Sequence, residues 1–555
     1  MSADIFRFDG RTVSFRPGQS VAAALTEAGE RALRHTAHGA SRGMFCGMGV
    51  CQDCLVTIDG VPNQRACARP AKAGLVVKPQ VAFPVLEETP APVPASPARI
   101  LEPDIAIIGG GAGGLSAAIA ARRAGANVVV LDERKVGGGQ YYKQSTGLPP
   151  LDAQQAEGAA LLTAAEDSGA EIIGSAEIWG AFDGPLFLAD VEGTALVVRP
   201  KTAIVATGAY ERPRMVPGWT LPGVMTTGAA QTLWRSYRTL PGKRVAVCGS
   251  GPLNAQVALE LAAGGSDLVI VAEAAAGPWR HPWISIKALM ADPGLVLKGI
   301  AMMRDLKRRG IPLKYQTALH RVEQDGDRLC ATFKTASGQE IRETVDAICM
   351  NDGFEPQNEI LRLLGARMTY DQDSGHLRCD RNSQMETSVP NLFAVGDCAG
   401  LGGAPAARVE GMIAGRAAAA RAGFGDAYDS FADERRLGRH RRFQANLWKL
   451  HDISLKVPDS AVRETIICRC EEITLGEILE GLEATPCHVG SLKRATRVGM
   501  GRCQGRYCGP VATRLVAAAT GKPLDDFSHF APRVPIKPIA IASILAAQEA
   551  LDEPD

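Results

Sequence analysis

Cysteine is the residue type in this chain whose spacing most directly suggests chemistry. Of 14 cysteines in 555 residues, Cys46, Cys51, Cys54 and Cys67 form one group inside RGMFCGMGVCQDCLVTIDG, spaced x4, x2 and x12. Cys468, Cys470, Cys503 and Cys508 form another, spaced x, x32 and x4. Thiolates are soft anionic ligands, and four of them can hold either the irons of a 2Fe-2S cluster or one zinc ion. The first spacing is that of a two-iron loop, in which Gly43, Gly47 and Gly49 let backbone amides turn toward the sulfides. Zinc knuckles more often pair two short Cys-x2-Cys hooks, so a cluster is the expectation there. In the second group a one-residue gap puts two thiolates on a tight turn; a second 2Fe-2S cluster is expected, and zinc is a stronger rival. Cys248, Cys330, Cys349, Cys379, Cys398 and Cys487 lack paired spacing and are expected to be packing residues.

Glycines carry the second chemistry. The strand-like run before Gly109-x-Gly111-x-x-Gly114, followed by an alanine-rich helix, is a dinucleotide turn. Its first glycine makes the bend, the second admits a pyrophosphate, the third packs helix on strand, and the helix N-terminus stabilises the phosphate charge. Asp132 and Glu133 end the next strand at the interval expected for an acid on a ribose hydroxyl, Asp132 being preferred. Gly139 and Gln140 follow in GGGQYYKQ, where Tyr141 and Tyr142 either cover a cofactor ring or simply pack. A second turn, Gly249-x-Gly251-x-x-Asn254, has asparagine for the third glycine, so helix and strand should stand further apart, and Glu273 ends its following strand. That acid suits a plain ribose, and a nucleotide site that works and one that is idle remain equally open. No Cys-x4-Cys or Cys-x2-Cys lies between residues 104 and 420, so a flavin-coupled disulfide shuttle is not expected.

The elements that must hold these residues can be read along the chain. Ile5–Phe8 and Thr12–Phe15 flank Asp9-Gly10, a pair suited to a tight hairpin turn, and Ser20 can cap the helix in VAAALTEAGE. Hairpin, helix and cysteine loop follow in β-grasp order. Residues 84–103 carry six prolines and read as a semi-rigid linker. Beyond them, strand-like and helical runs alternate at Ile105–Ile108, Leu115–Arg123 and Val128–Leu131, and again at Val245–Cys248, Ala255–Ala263 and Leu268–Val271, which argues for parallel sheets with crossover helices. The run Glu434–Arg442 reads as a solvated helix face or a dock for an acidic partner.

Composition narrows the class. With 61 Lys and Arg against 60 Asp and Glu, the formal charge is +1, which leaves no footprint for nucleic acid. Hydrophobic residues at 46% and charged ones at 22% fit a globular chain of several units. The stretch Ile105–Ala121 is interrupted by five glycines and is a poor membrane span. MSADIFRFDG shows no leader pattern, so a cytoplasmic chain with reduced thiols is expected.

Two further segments carry a resemblance. AIVATGAYERP, with Thr207 and Gly208, and VPNLFAVGDCAG, with Gly396 and Asp397, resemble the downstream signatures of glutathione-reductase-like flavoproteins. This resemblance implies FAD as cofactor, Asp397 on the ribityl chain, and Gly402–Arg416 as a helix pointing at the isoalloxazine. With both cysteine groups flanking this core, the chain resembles the alpha subunits of heteromeric amine dehydrogenases: opine oxidases, hydrogen cyanide synthase, proline and hydroxyproline dehydrogenases, and the front half of the sarcosine oxidase alpha subunit. The fold class implied is α/β, a two-dinucleotide-binding flavoprotein with an N-terminal β-grasp 2Fe-2S domain and a small α-helical C-terminal 2Fe-2S domain similar to bacterioferritin-associated ferredoxin. Expected bounds are 1–83 for the first domain, 84–103 for the linker, and 104–215 with 330–425 for the FAD domain. The second Rossmann domain then takes 216–329, a connecting helical segment 426–460, the second cluster domain 461–530 and a tail 531–555.

The resemblance further implies a partner flavin subunit similar to D-amino-acid oxidases, which oxidises an amine to an imine, while this chain carries electrons to a quinone or another carrier. NAD or an ATP-like nucleotide in the second Rossmann site and a further flavin shared with the partner are also allowed for, as is a position peripheral to the inner membrane. Two other readings stay open: a stand-alone NADH-dependent reductase, and a structural iron-sulfur scaffold.

Overall fold

The computed structural model describes residues 4–84, 96–425, 431–451, 458–484 and 488–552. Most of the proline-rich segment expected as a linker, part of the connecting segment 426–460, and Cys487 lie outside them. Strand Ile5–Phe8 pairs antiparallel with Arg11–Ser14, and Asp9 and Gly10 close the turn at φ 48° and 79°. Two positive φ values in a two-residue loop match the twist of the strands they join. Ser20 Oγ accepts the Ala23 N–H at 3.2 Å and starts helix Val21–Glu27, whose alanines pack under Phe6 and Phe8. Val76–Pro79 lies parallel to the first strand and antiparallel to Leu55–Ile58, completing a five-stranded mixed sheet over the helix.

Ile105–Ile108 and Val128–Leu131 are buried at every position and lie side by side in a five-stranded parallel sheet with Glu171–Ile173, Thr202–Val205 and Leu392–Ala394. Such a sheet needs cover on both faces. Ile105, Ile107, Val128 and Val130 pack under helices Ala112–Arg123 and Gly403–Arg421, while Ala106, Ile108, Val129 and Leu131 face the meander Ala176–Phe182, Leu186–Val191 and Thr194–Val198. The expected helix Gly402–Arg416 runs further, to Arg421.

A second parallel sheet has the order Val224–Thr226, Ala347–Asn351, Arg244–Gly249, Asp267–Glu273, Leu313–Tyr315. The expected return to the first unit at residue 330 is corrected by this order. Antiparallel strands Thr317–Asp325, Arg328–Thr335 and Glu340–Val345 lead into Ala347–Asn351, which sits in the middle of the second sheet, so the chain leaves that unit only after Asn351.

Helices Leu475–Ala484, Val489–Thr496 and Gly509–Thr520 surround the second cysteine group. Residues 531–555 are more than a tail: helix Ile541–Asp552 buries Ala546, Ala547 and Ala550 against Trp179, Leu188 and Val197 of the meander. Among the described residues no helix is long and apolar enough to cross a membrane.

Candidate functional site

The first glycine turn leaves its strand at Gly109, φ 111°, where a side chain would run into Ala206 O. Gly111 caps helix Ala112–Arg123, and Gly114 packs on Gly109 O so closely that no Cβ fits. Gly139, φ 62°, stacks on the same turn, since a Cβ there would lie 2.8 Å from Gly111 Cα. Bare backbone thus faces the groove, as a pyrophosphate requires. The residue-type signal and the geometry agree at this turn because glycine is the one residue that permits both the φ and the approach.

Asp132 leans into the turn, its Oδ2 accepting the Gly110 N–H at 2.5 Å and its Oδ1 the Arg134 N–H at 2.7 Å. Burial pushes its pKa up, against those two amides. Glu133 points away, as alternate residues at a strand end do. Its Oε2 accepts from Lys537 Nζ at 2.7 Å and its Oε1 lies 3.5 Å from Arg65, so it ties this loop to the N- and C-terminal units. Gln140 reaches the first cysteine loop, its Nε2 lying 3.9 Å from Met48 Sδ. Of the two tyrosines, Tyr142 is core, packed with Leu115 and Leu161, while Tyr141 is part-exposed on the groove.

On the other side of the groove, Thr207 Oγ1 donates to Gln357 O at 2.6 Å and Gly208 bends at φ 77°. Gly396 turns at φ 72° into Asp397, whose Oδ1 accepts the N–H groups of Gly402 and Gly403 at 2.9 and 2.8 Å, at the start of helix Gly403–Arg421. Burial raises the Asp397 pKa and the two amides oppose that. Together these residues line a cavity of about 1580 Å³ that reaches from Gly109 and Asp397 to Ser250 and Gly251 on one side and Met48 and Cys67 on the other. The bare glycine cradle and this volume fit an adenine dinucleotide.

Sequence reasoning missed a buried lysine and a buried glutamate in the same cavity. Lys143 is 1% exposed, and its Nζ donates to Gly228 O at 2.6 Å and Thr232 Oγ1 at 3.0 Å. Glu211 accepts the Gly228 N–H at 2.9 Å and Asn351 Nδ2 at 2.7 Å. Burial, aided by Arg134, brings Lys143 down to about 7, and burial raises Glu211. A lone lysine after two tyrosines carries no motif that could have signalled this.

The second turn is built differently. Asn254 is buried, accepting from Thr227 Oγ1 at 2.8 Å and donating to Asn351 O at 3.2 Å, so it bridges three segments where the first turn has bare glycine. Glu273 accepts from Ser250 Oγ at 2.6 Å and the Gly251 N–H at 3.0 Å. His451, beyond helix Phe431–Leu450, sits 3.4 Å from Glu273 Oε2, and its carbonyl accepts from Ser250 Oγ at 3.3 Å. The candidate ribose acid is therefore covered. The same helix has the solvated face expected at Glu434–Arg442, with Glu434, Arg435, Arg436, Arg439, Arg441 and Arg442 exposed, while Leu437 and His440 turn inward and Arg441 pairs with Glu410 at 2.9 Å.

Both cysteine groups converge. In the first, the free thiol of Cys46 lies beside that of Cys51 and that of Cys67 beside Cys54. In the second, Cys468 lies beside Cys508 and Cys470 beside Cys503. Among the described residues no three or more His, Cys, Asp or Glu close on the position of one ion. Four thiols in each group, lying in two pairs, could hold a 2Fe-2S cluster. In the second group the hydrogen bond from Cys470 brings Cys503 down to about 6, a thiol ready to ligate as thiolate. Cys248, Cys349, Cys379 and Cys398 are buried, and Cys330 partly so.

The described groups also meet each other. Asp53, inside the first cysteine loop, takes Arg469, which stands between Cys468 and Cys470, at 2.5 Å. Rings connect the same region: Phe45 and Tyr507 lie 5.4 Å apart, and Tyr507 and Tyr210 5.7 Å, with Tyr210 on the cavity wall.

Comparisons with known proteins follow these divisions. Residues 103–419 match the pyridine nucleotide-disulphide oxidoreductase family, 5–82 the 2Fe-2S iron-sulfur cluster binding domain, and 464–549 the sarcosine oxidase A3 domain. The chain is 32% identical over 386 residues to an opine oxidase subunit of Rhizobium meliloti (strain 1021), covering 68% of this chain and 83% of that protein. It is 33% identical over 355 residues to the hydrogen cyanide synthase subunit HcnB of Pseudomonas aeruginosa, covering 61% and 75%. The crystal structure of L-proline dehydrogenase from P. horikoshii shares the fold, with a TM-score of 0.72 at 20% identity over 97% of this chain and 96% of that one.

Proposed function

Because this chain belongs to the pyridine nucleotide-disulphide oxidoreductase family, as an FAD-dependent oxidoreductase with a 2Fe-2S domain, we propose that it is the electron-transferring alpha subunit of a heteromeric amine dehydrogenase. A partner flavin subunit oxidises a secondary amine of opine, proline or hydroxyproline type to an imine, releasing two electrons and two protons. The carrying observation is that the cavity at the dinucleotide cradle reaches Cys67 of the first cysteine group, whose loop is tied to the second through Asp53 and Arg469.

A bound flavin exchanges two electrons and can release them singly, and a two-iron cluster takes one at a time. This chain's residues supply the housing. Gly109, Gly111, Gly114 and Gly139 would leave room for the pyrophosphate of FAD, and Asp132 and Asp397 would be the acids that hold its ribose and ribityl chain. Cys46, Cys51, Cys54 and Cys67 would hold the first cluster, and Cys468, Cys470, Cys503 and Cys508 the second. Glu273, engaged by His451 and Ser250, disfavours hydride entry from NADH at the second turn. The acceptor is a quinone, reached from the inner-membrane surface, or another electron carrier.

Two measurements test this. The native complex should contain a second flavoprotein chain, and amine oxidation should need it; full-rate oxidation by this chain alone would refute the assignment. Anaerobic NADH should leave the flavin colour unchanged over seconds, whereas rapid bleaching would support the stand-alone reductase.

A further inference from the structure

We infer that Asp53 and Arg469 are a positioning pair that holds the two cysteine groups in contact as one unit, so that an electron passes directly between the clusters they hold, one site being oxidised as the other is reduced. This rests on the reading that both groups bind 2Fe-2S clusters.

Both residues lie within the ligand loops themselves, Asp53 next to Cys54 and Arg469 between Cys468 and Cys470. They are 2% and 6% exposed. Arg469 Nε donates to Asp53 Oδ2 at 2.5 Å, and Arg34 Nη2 fills Oδ1 at 2.6 Å. The Arg469 guanidinium also lies 4.1 Å over the ring of Phe45, the neighbour of Cys46, and donates to Trp219 O at 3.0 Å. At the seam, Cys470 Sγ lies 4.0 Å from the backbone carbonyl of Cys51, so the two ligand loops are neighbours. Arg42 repeats the link beside it, donating to Glu472 at 3.0 Å.

Stability is a poor reason for such a pair. Desolvating two charges roughly cancels their attraction, and apolar residues of equal size often serve as well, whereas a buried pair does fix register. What this pair fixes is the separation of two ligand loops, and it leaves a cation beside sites that gain negative charge on reduction.

The test uses the full chain, reduced anaerobically with dithionite, and electron paramagnetic resonance at cryogenic temperature. Iron and sulfide assays come first. Fully reduced wild type should show splitting and faster relaxation than the sum of Cys46→Ser and Cys503→Ser, each retaining one cluster. Arg469→Met should keep its iron, lower both midpoint potentials and weaken the splitting, and Arg469→Lys should recover part of each. Asp53→Asn, nearly isosteric, reads the same contact if Arg469→Met does not fold. Additive, uncoupled spectra in wild type, or an Arg469→Met protein with wild-type splitting and potentials, would overturn the inference while leaving the cluster assignment standing. Zinc, or iron for one cluster only, would instead refute the underlying reading and the inference with it.

Discussion

Lys143 shows how a single buried residue can impose a pH dependence. Its pKa of about 7 lies below the roughly 10.4 of an exposed lysine, so between those values the unfolded chain binds a proton that the folded chain does not. The cost of burying the charge is therefore full below about pH 7 and is relieved as pH rises toward about 10. Thermal unfolding of wild type and Lys143→Met should differ least in the variant's favour at high pH: relative to the variant, wild type gains stability from pH 7 to 9.5. A melting-temperature gap that stays constant across that range would show that Lys143 is charged throughout. The lysine itself was invisible in the sequence, since its burial comes from Gly228 and Thr232, some 85 residues away along the chain. The glycines of the first turn were legible because their requirement is local.

At the scale of elements, the dinucleotide cradle depends on how closely two helices approach. Gly411 and Gly415 of helix Gly403–Arg421 pack on the carbonyls of Gly113 and Ala117, with no room for a Cβ at either glycine. That contact seats helix Ala112–Arg123, and with it the turn at Gly109–Gly114, against the loop of Asp397. Gly411→Ala should cost about 1–3 kcal/mol through overpacking and should lower the flavin content of purified protein. Absorbance of released flavin and a melting curve would check both, and a variant with full flavin would separate the cradle from this helix pair. The strands and helices were legible here from their apolar and small-residue runs. Their partners were not, because a glycine stripe does not say which backbone it will meet. The late return of the chain after Asn351 escaped for the same reason: a strand's place in its sheet is set by pairing, not by its own residues.

The whole molecule is joined by charges that cross between units. Arg65 pairs with Glu177, Arg42 with Glu472, Asp53 with Arg469 and Lys537 with Glu133. Residues 1–84 and 96–555 produced as separate chains should therefore co-purify, and Asp53→Lys should abolish that association by setting like charges against each other at a buried site. Association that persists in Asp53→Lys would place the docking energy elsewhere. What the sequence determined by itself was chemistry that depends on residue type and short spacing: thiolate quartets, two glycine turns, and the order of the units. Tertiary structure alone decided which charges are buried and which loops meet. It set His451 over Glu273 and Arg469 against Asp53, because desolvation and long-range contact are properties of the packed chain and not of any segment within it.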